Sequence, residues 1–222
     1  AKPHIGTDIL KNVVKNMRNR IIEWGGEVRF ESTVTDIAFD NNVVNCVTVN
    51  ADEIIKVSCV ILAIGHSARD TFHMLYDMNV KMEAKPFAVG FRVEHPQKWI
   101  NLSQYGTDKM EALGSAPYKV TANAKDGRGV YSFCMCPGGE VVAAASEDGG
   151  LVVNGMSYHA RNNPNANAAV AVSVRCEDYE KVEGSAPLGA IAFQRRIERA
   201  AFEAGGKDYY APVMTMQDFL EG

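Results

Sequence analysis

Six consecutive apolar residues, Cys59-Val60-Ile61-Leu62-Ala63-Ile64, run without alternation into Gly65, and His66-Ser67-Ala68-Arg69-Asp70 follows at once. A run with no polar face predicts a strand buried on both sides, as at the centre of a parallel sheet. Ser67 is placed to cap the next helix, with Asp70 three positions on as a short variant of the capping box. Strand, glycine and helix start in succession mark where open α/β sheets bring backbone N–H groups close to a ligand.

Upstream, Ile9, Leu10, Val13, Val14, Met17, Ile21 and Trp24 recur at three- and four-residue steps, opposite Lys11, Lys15, Arg18 and Asn19. This predicts an amphipathic helix from Asp8, capped by Thr7 after a Pro3-His4-Ile5-Gly6 turn and stopped by Gly25-Gly26. Glu27–Ile37 reads as a strand, with Val28 and Phe30 opposite Arg29 and Glu31. Turns at Asn41-Asn42 and Ala51-Asp52-Glu53 set off two more strands, Val43–Val49 and Ile54–Val57. Three strands with short polar turns predict an antiparallel meander.

Helix, meander, buried strand, glycine: this order resembles part of the FAD-dependent oxidoreductases with the glutathione-reductase type of nucleotide-binding fold. Gly26-Glu27-Val28-Arg29-Phe30-Glu31-Ser32-Thr33-Val34-Thr35-Asp36-Ile37 is similar to that group's adenine-side strand, with Val34 at the position that packs beside the base. Ala63-Ile64-Gly65 stands where Ala-Thr-Gly is usual near the cofactor. Three patches, Pro3–Asp8, Gly65–Thr71 and Phe133-Cys134-Met135-Cys136-Pro137-Gly138-Gly139, resemble the family of uncharacterised FAD-dependent dehydrogenases. The resemblance implies FAD as cofactor, held in part by Thr33, Val34, Ala63, Ile64, Gly65 and His66. It further implies hydride transfer through flavin to or from a small-molecule substrate, with NAD(P)H as a further partner.

No Gly-x-Gly-x-x-Gly occurs; Gly127-Arg128-Gly129 continues as Val-Tyr-Ser. In the family the diphosphate-binding βαβ unit would precede Ala1, so the expectation is an internal piece of a larger flavoprotein. Alone, such a piece should hold FAD weakly and be inactive, because a glycine-rich loop supplies the close backbone donors for the diphosphate. The remainder of the parent protein is then a partner.

After a helix over Ser67–Met78, the pattern turns to β. Phe87–Val93 alternates, and Pro117–Thr121, Gly129–Met135, Glu140–Ala145, Leu151–Asn154 and Ala168–Val174 follow, divided by Gly- and Asn-rich turns. A long helix from about Leu188 to Ala204 ends at Gly205-Gly206. The expected fold class is α/β of mixed α+β character. Residues 1–86 form part of an FAD-binding, Rossmann-like domain with a β-meander. Residues 87–222 form a segment of a substrate domain, a mainly antiparallel sheet with a long helix.

Among candidate groups, Cys134 and Cys136 are expected on one strand face, as inert thiols rather than a redox pair or half a metal site. No second Cys/His pair at ligand spacing exists to complete a zinc site. His66 is placed to touch cofactor or substrate, and no residue is assigned as catalytic acid or base. Arg195-Arg196-Ile197-Glu198-Arg199 reads as a solvated helix face. A net charge of −4 with no basic cluster argues against a nucleic-acid partner, and no apolar run approaches a membrane span. Five cysteines in strand-like surroundings suit reduced thiols and a cytoplasmic location. The alternative from another class is a non-catalytic α+β ligand-binding or interaction domain without cofactor.

Overall fold

Helix α1 spans Thr7–Glu23, as the apolar spacing predicts. The structure, a computed structural model, describes residues 4–108, 112–180 and 187–222, so Pro3 of the expected turn lies outside the described residues. Thr7 does not cap the helix; Gly6 takes the N-cap position, and no side chain caps it. The Thr7 hydroxyl instead donates to the Ser157 carbonyl at 3.2 Å, and Asp8 accepts from the His159 N–H at 2.9 Å. The helix start is thereby tied to a distant strand rather than closed on itself. None of the seventeen α1 residues is buried, and Leu10, Val14, Met17 and Trp24 stand exposed. Its apolar face has the period of a core helix but no cover among the described residues.

The meander forms with antiparallel order β1-β2-β3, from Val34–Asp40, Val43–Val49 and Glu53–Lys56. Only the second half of the expected Glu27–Ile37 strand joins it. Thr33 shows the reason: its N–H donates to Asn50 Oδ1 at 2.9 Å and its carbonyl accepts from the Asn50 N–H at 2.8 Å. The turn after β2 thus closes the pairing at Thr33, and residues 27–33 have no ladder to join. Helix α2, Arg69–Asp77, packs on the meander, and Ile37, Val47, Val49 and Leu75 make the buried cluster between them.

The run at Cys59–Ile64 is not a buried strand. It is irregular by hydrogen bonding, and only Val60 turns in against the meander cluster. Ile61 is 87 % exposed, and Leu62 and Ala63 are exposed with it. A strand exists only where a neighbour takes its backbone groups, and no described residue does so here. Ser67 likewise does not cap α2; Ala68 is the N-cap, and the Ser67 hydroxyl donates to Ser146 Oγ at 3.2 Å.

Beyond residue 86 the chain is β-rich as the pattern predicts, except that the strand expected at Pro117–Thr121 lies instead at Thr121–Asn123. Strands β4 (Phe87–Pro96), β5 (Thr121–Asn123), β6 (Gly129–Cys136) and β9 (Asn165–Val174) form one antiparallel sheet in the order β4-β9-β6-β5. Strands β7 (Gly139–Ala144) and β8 (Val152–Ser157) pair as a separate hairpin. Helix α3, Gln97–Tyr105, follows β4. Helices α4 (Cys176–Glu180), α5 (Gly189–Ala204) and α6 (Met216–Glu221) follow β9. Phe87 of β4 meets Tyr179 of α4 and Phe193 of α5, and Phe91 meets Phe219 of α6 at 4.9 Å between ring centres. The fold is therefore mixed α and β with antiparallel sheets. No helix among the described residues is long and apolar enough to cross a membrane.

Candidate functional site

Gly65 ends the exposed apolar run with φ +69, a backbone conformation that L side chains rarely adopt. A Cβ built there would meet nothing within 4 Å, so the chain presents bare backbone to open space. From Cys59 to Gly65 the backbone groups find no partner among the described residues. His66 is exposed, and its ring lies 3.4 Å from the Ser67 hydroxyl. Ala63 is exposed and Ile64 partly so.

The other candidate pair sits at the start of the meander. Val34 opens β1 with its side chain at the surface, while the Thr33 main chain is already taken by Asn50. Val34 therefore offers packing surface rather than free backbone at Thr33. The hydrogen bonds of Thr33 run to Asn50 and that of His66 to Ser67, so neither pairs with the other group. For a dinucleotide, these residues fit an apolar contact at Val34 and a glycine-terminated edge at Ala63–His66. The glycine-rich loop that would cradle a diphosphate is not among them.

Arg69, the first residue of α2, is 1 % exposed and anchors this edge to the rest of the protein. Its Nη1 donates to Glu147 Oε2 at 2.5 Å and to Glu198 Oε2 at 3.0 Å. Its Nη2 donates to Glu198 Oε1 at 2.7 Å and, more weakly, to Gln194 Oε1 at 3.3 Å. Arg195 grips Glu147 from the other side, with Nε at 2.8 Å and Nη2 at 2.6 Å. Two arginines and two glutamates thus join α2, the β7–β8 loop and α5. Of the face expected to be solvated at 195–199, Arg196, Ile197 and Arg199 are exposed, but Glu198 is 9 % exposed and faces a buried cation, not water. Spacing within α5 could not reveal this, because Arg69 lies 129 residues away in sequence.

The Arg195 guanidinium, then Arg69, holds the Glu147 carboxyl down at about 2 against the opposing effect of burial. Because the folded value lies below the ordinary 4.5, Glu147 contributes stability above about pH 4.5. That contribution is lost as pH falls toward about 2. Glu147→Gln should flatten the acid limb of a Tm-against-pH profile across this window; an unchanged limb would count against the network.

Cys134 and Cys136 do not share a strand face. The ladder to β9 slips between Phe133 and Cys136, and Cys134 has φ +44, which places a bulge between the thiols. Cys134 is exposed, whereas burial pushes the Cys136 thiol up, and all five cysteines are free. A raised thiol makes Cys136 the poorer nucleophile of the two. No group of three or more His, Cys, Asp or Glu suited to a metal occurs among the described residues.

Residues 86–222 match the family described as FAD-dependent protein, C-terminal domain-like. Across all 222 residues the chain is similar to an uncharacterized protein of Clostridium beijerinckii, at 51% identity. The chain spans 41% of that relative's length.

Proposed function

Because this chain belongs to the FAD-dependent protein, C-terminal domain-like family, we propose that it is part of a larger FAD-dependent oxidoreductase, a dehydrogenase acting on a small molecule. In this reading residues 1–86 contribute to the cofactor domain and residues 87–222 to the substrate side. The observation that carries it is the apolar run Cys59–Ile64, whose backbone is unpaired and whose far face is bare up to the open Gly65. Ile61, Leu62 and Ala63 leave apolar side chains in water, and a parallel sheet completed by another part of the parent protein would bury them and pair the backbone. The match beginning at residue 86 and the greater length of the Clostridium relative support the division and the parent.

FAD, when bound, supplies two-electron hydride chemistry. Val34 would pack against the adenine end, and Ala63, Ile64 and Gly65 would place bare backbone beside the cofactor, next to His66. Ile61 and Leu62, once covered, would exclude water from this edge. Arg69 holds the start of α2, four residues beyond Gly65, against the β7–β8 loop and α5. Its part is to fix the cofactor edge relative to the substrate side.

The test is the visible spectrum of the longer protein beside that of the 222-residue chain. The longer protein should purify yellow with flavin bands, and the chain alone should retain little or no FAD after gel filtration. A well-folded, colourless longer protein that takes up no added FAD would favour a cofactor-free binding domain instead.

A further inference from the structure

One face of the four-stranded sheet is half covered and half open. Directly opposed residues of antiparallel strands point to the same side. The registers Gly90–Ala171–Tyr131 and Arg92–Ala169–Phe133 therefore make two adjacent rows on one face. Hairpin β7–β8 lies over the Asn167 end of that face: a Cβ on Gly155 would land on Arg92 Nη2 and Asn167 Oδ1. Past the hairpin the face opens into a cavity of about 380 Å³, within the range of small-molecule sites. Its floor is Gly90, Ala169 and Ala171, its aromatic side Tyr131 and Phe133, and Arg92 stands at its end.

Arg92 is held in place but not neutralised. Its Nε donates to Asn167 Oδ1 at 2.8 Å and its Nη2 to the Cys134 carbonyl at 2.6 Å, both uncharged acceptors. Its Nη2 also approaches Cys136 Sγ at 3.6 Å. The Nη1 group donates to no described residue, and Arg92 makes no ion pair with one. Asn167 is fully buried, commits its carbonyl oxygen to this guanidinium and leaves its own Nδ2 without a partner. A fixed guanidinium with a free edge, beside a flat floor of small residues, suits a carboxylate attached to a planar body. Aromatic side chains along one margin add stacking surface.

We propose that this open half-face binds a small planar carboxylate, its ring on the Gly90–Ala171 floor and its anionic end on Arg92. The role of such a molecule as the flavoenzyme's substrate rests on the reading above; its binding does not. Benzoate and its neutral analogue benzamide are the probes, titrated into purified protein carrying ¹³C-methyl alanine. Benzoate should shift the Ala169 and Ala171 methyl signals saturably and bind about 10–100-fold tighter than benzamide. Arg92→Gln should reduce benzoate to the affinity of benzamide. Ala169→Leu leaves the arginine in place but fills the floor, and should abolish the shifts that both probes cause at Ala171. Equal affinities for the two probes, unmoved alanine methyls at millimolar benzoate, or undiminished binding to Ala169→Leu would each overturn the proposal. Flavin uptake is read separately from the visible spectrum. Protein that takes up no FAD yet binds benzoate at these alanines keeps the site and loses the oxidoreductase reading; yellow protein whose alanines ignore benzoate does the reverse.

Discussion

Arg69→Ala should cost about 3–5 kcal/mol of folding stability, the usual penalty for removing one partner of a buried ion pair. Glu198 would remain out of water with no cation in contact, and Glu147 would keep only Arg195. In a chain of this size each kcal/mol moves Tm by about 2–4 °C, so a drop of roughly 10 °C is expected. Thermal unfolding followed by far-UV circular dichroism measures it. Arg69→Met combined with Glu198→Leu should recover most of the loss, because it removes both charges and retains apolar volume. A single-variant loss below about 1 kcal/mol would mean that the pair is solvated, as exposed pairs are. The same lesion would loosen the start of α2 from the β7–β8 loop and α5, and so disturb the edge that ends at Gly65.

The second large effect depends on context. Ile61 is 87 % exposed, so Ile61→Asp in the 222-residue chain should change stability by no more than about 0.5 kcal/mol. In the longer protein the same residue would lie inside a completed sheet, where an unpaired carboxylate is among the costliest substitutions, roughly 4 kcal/mol or more. Denaturant titration of both forms, with flavin absorbance recorded on the second, separates the cases. A small, equal change in both would show that this surface faces water in the parent as well.

Much of the fold was legible because it is local. The spacing from Ile9 to Trp24 specifies α1, and the Asn41-Asn42 and Ala51-Asp52-Glu53 turns specify the meander, since each needs only residues a few positions apart. The run at Cys59–Ile64 departs from its pattern for a physical reason: unbroken hydrophobicity reports a demand for burial on both faces, and no described residue meets it. Glu27–Thr33 failed similarly, because Asn50 closes the meander at Thr33. The candidate site was legible only as positions. Gly65 reads as a strand-to-helix junction from its place after an apolar run, whereas its positive φ and open surroundings do not, and Arg69 reads as an ordinary helix residue until α5 is brought to it. Arg92 and the Ala169–Ala171 floor were likewise silent. Alternation in β4 and β9 identifies faces, whereas an open half-face depends on which rows the register aligns and how far the β7–β8 hairpin reaches.

The most direct measurement is backbone amide exchange at Val60–Gly65 in the chain alone and in the longer, FAD-loaded protein. The chain alone should exchange there at close to unstructured rates, since these groups have no partner among the described residues. In the longer protein the same amides should slow roughly 1,000-fold or more as they enter a completed strand. Free exchange at these amides in yellow, FAD-loaded protein would show that the edge joins neither sheet nor cofactor, and would contradict the account.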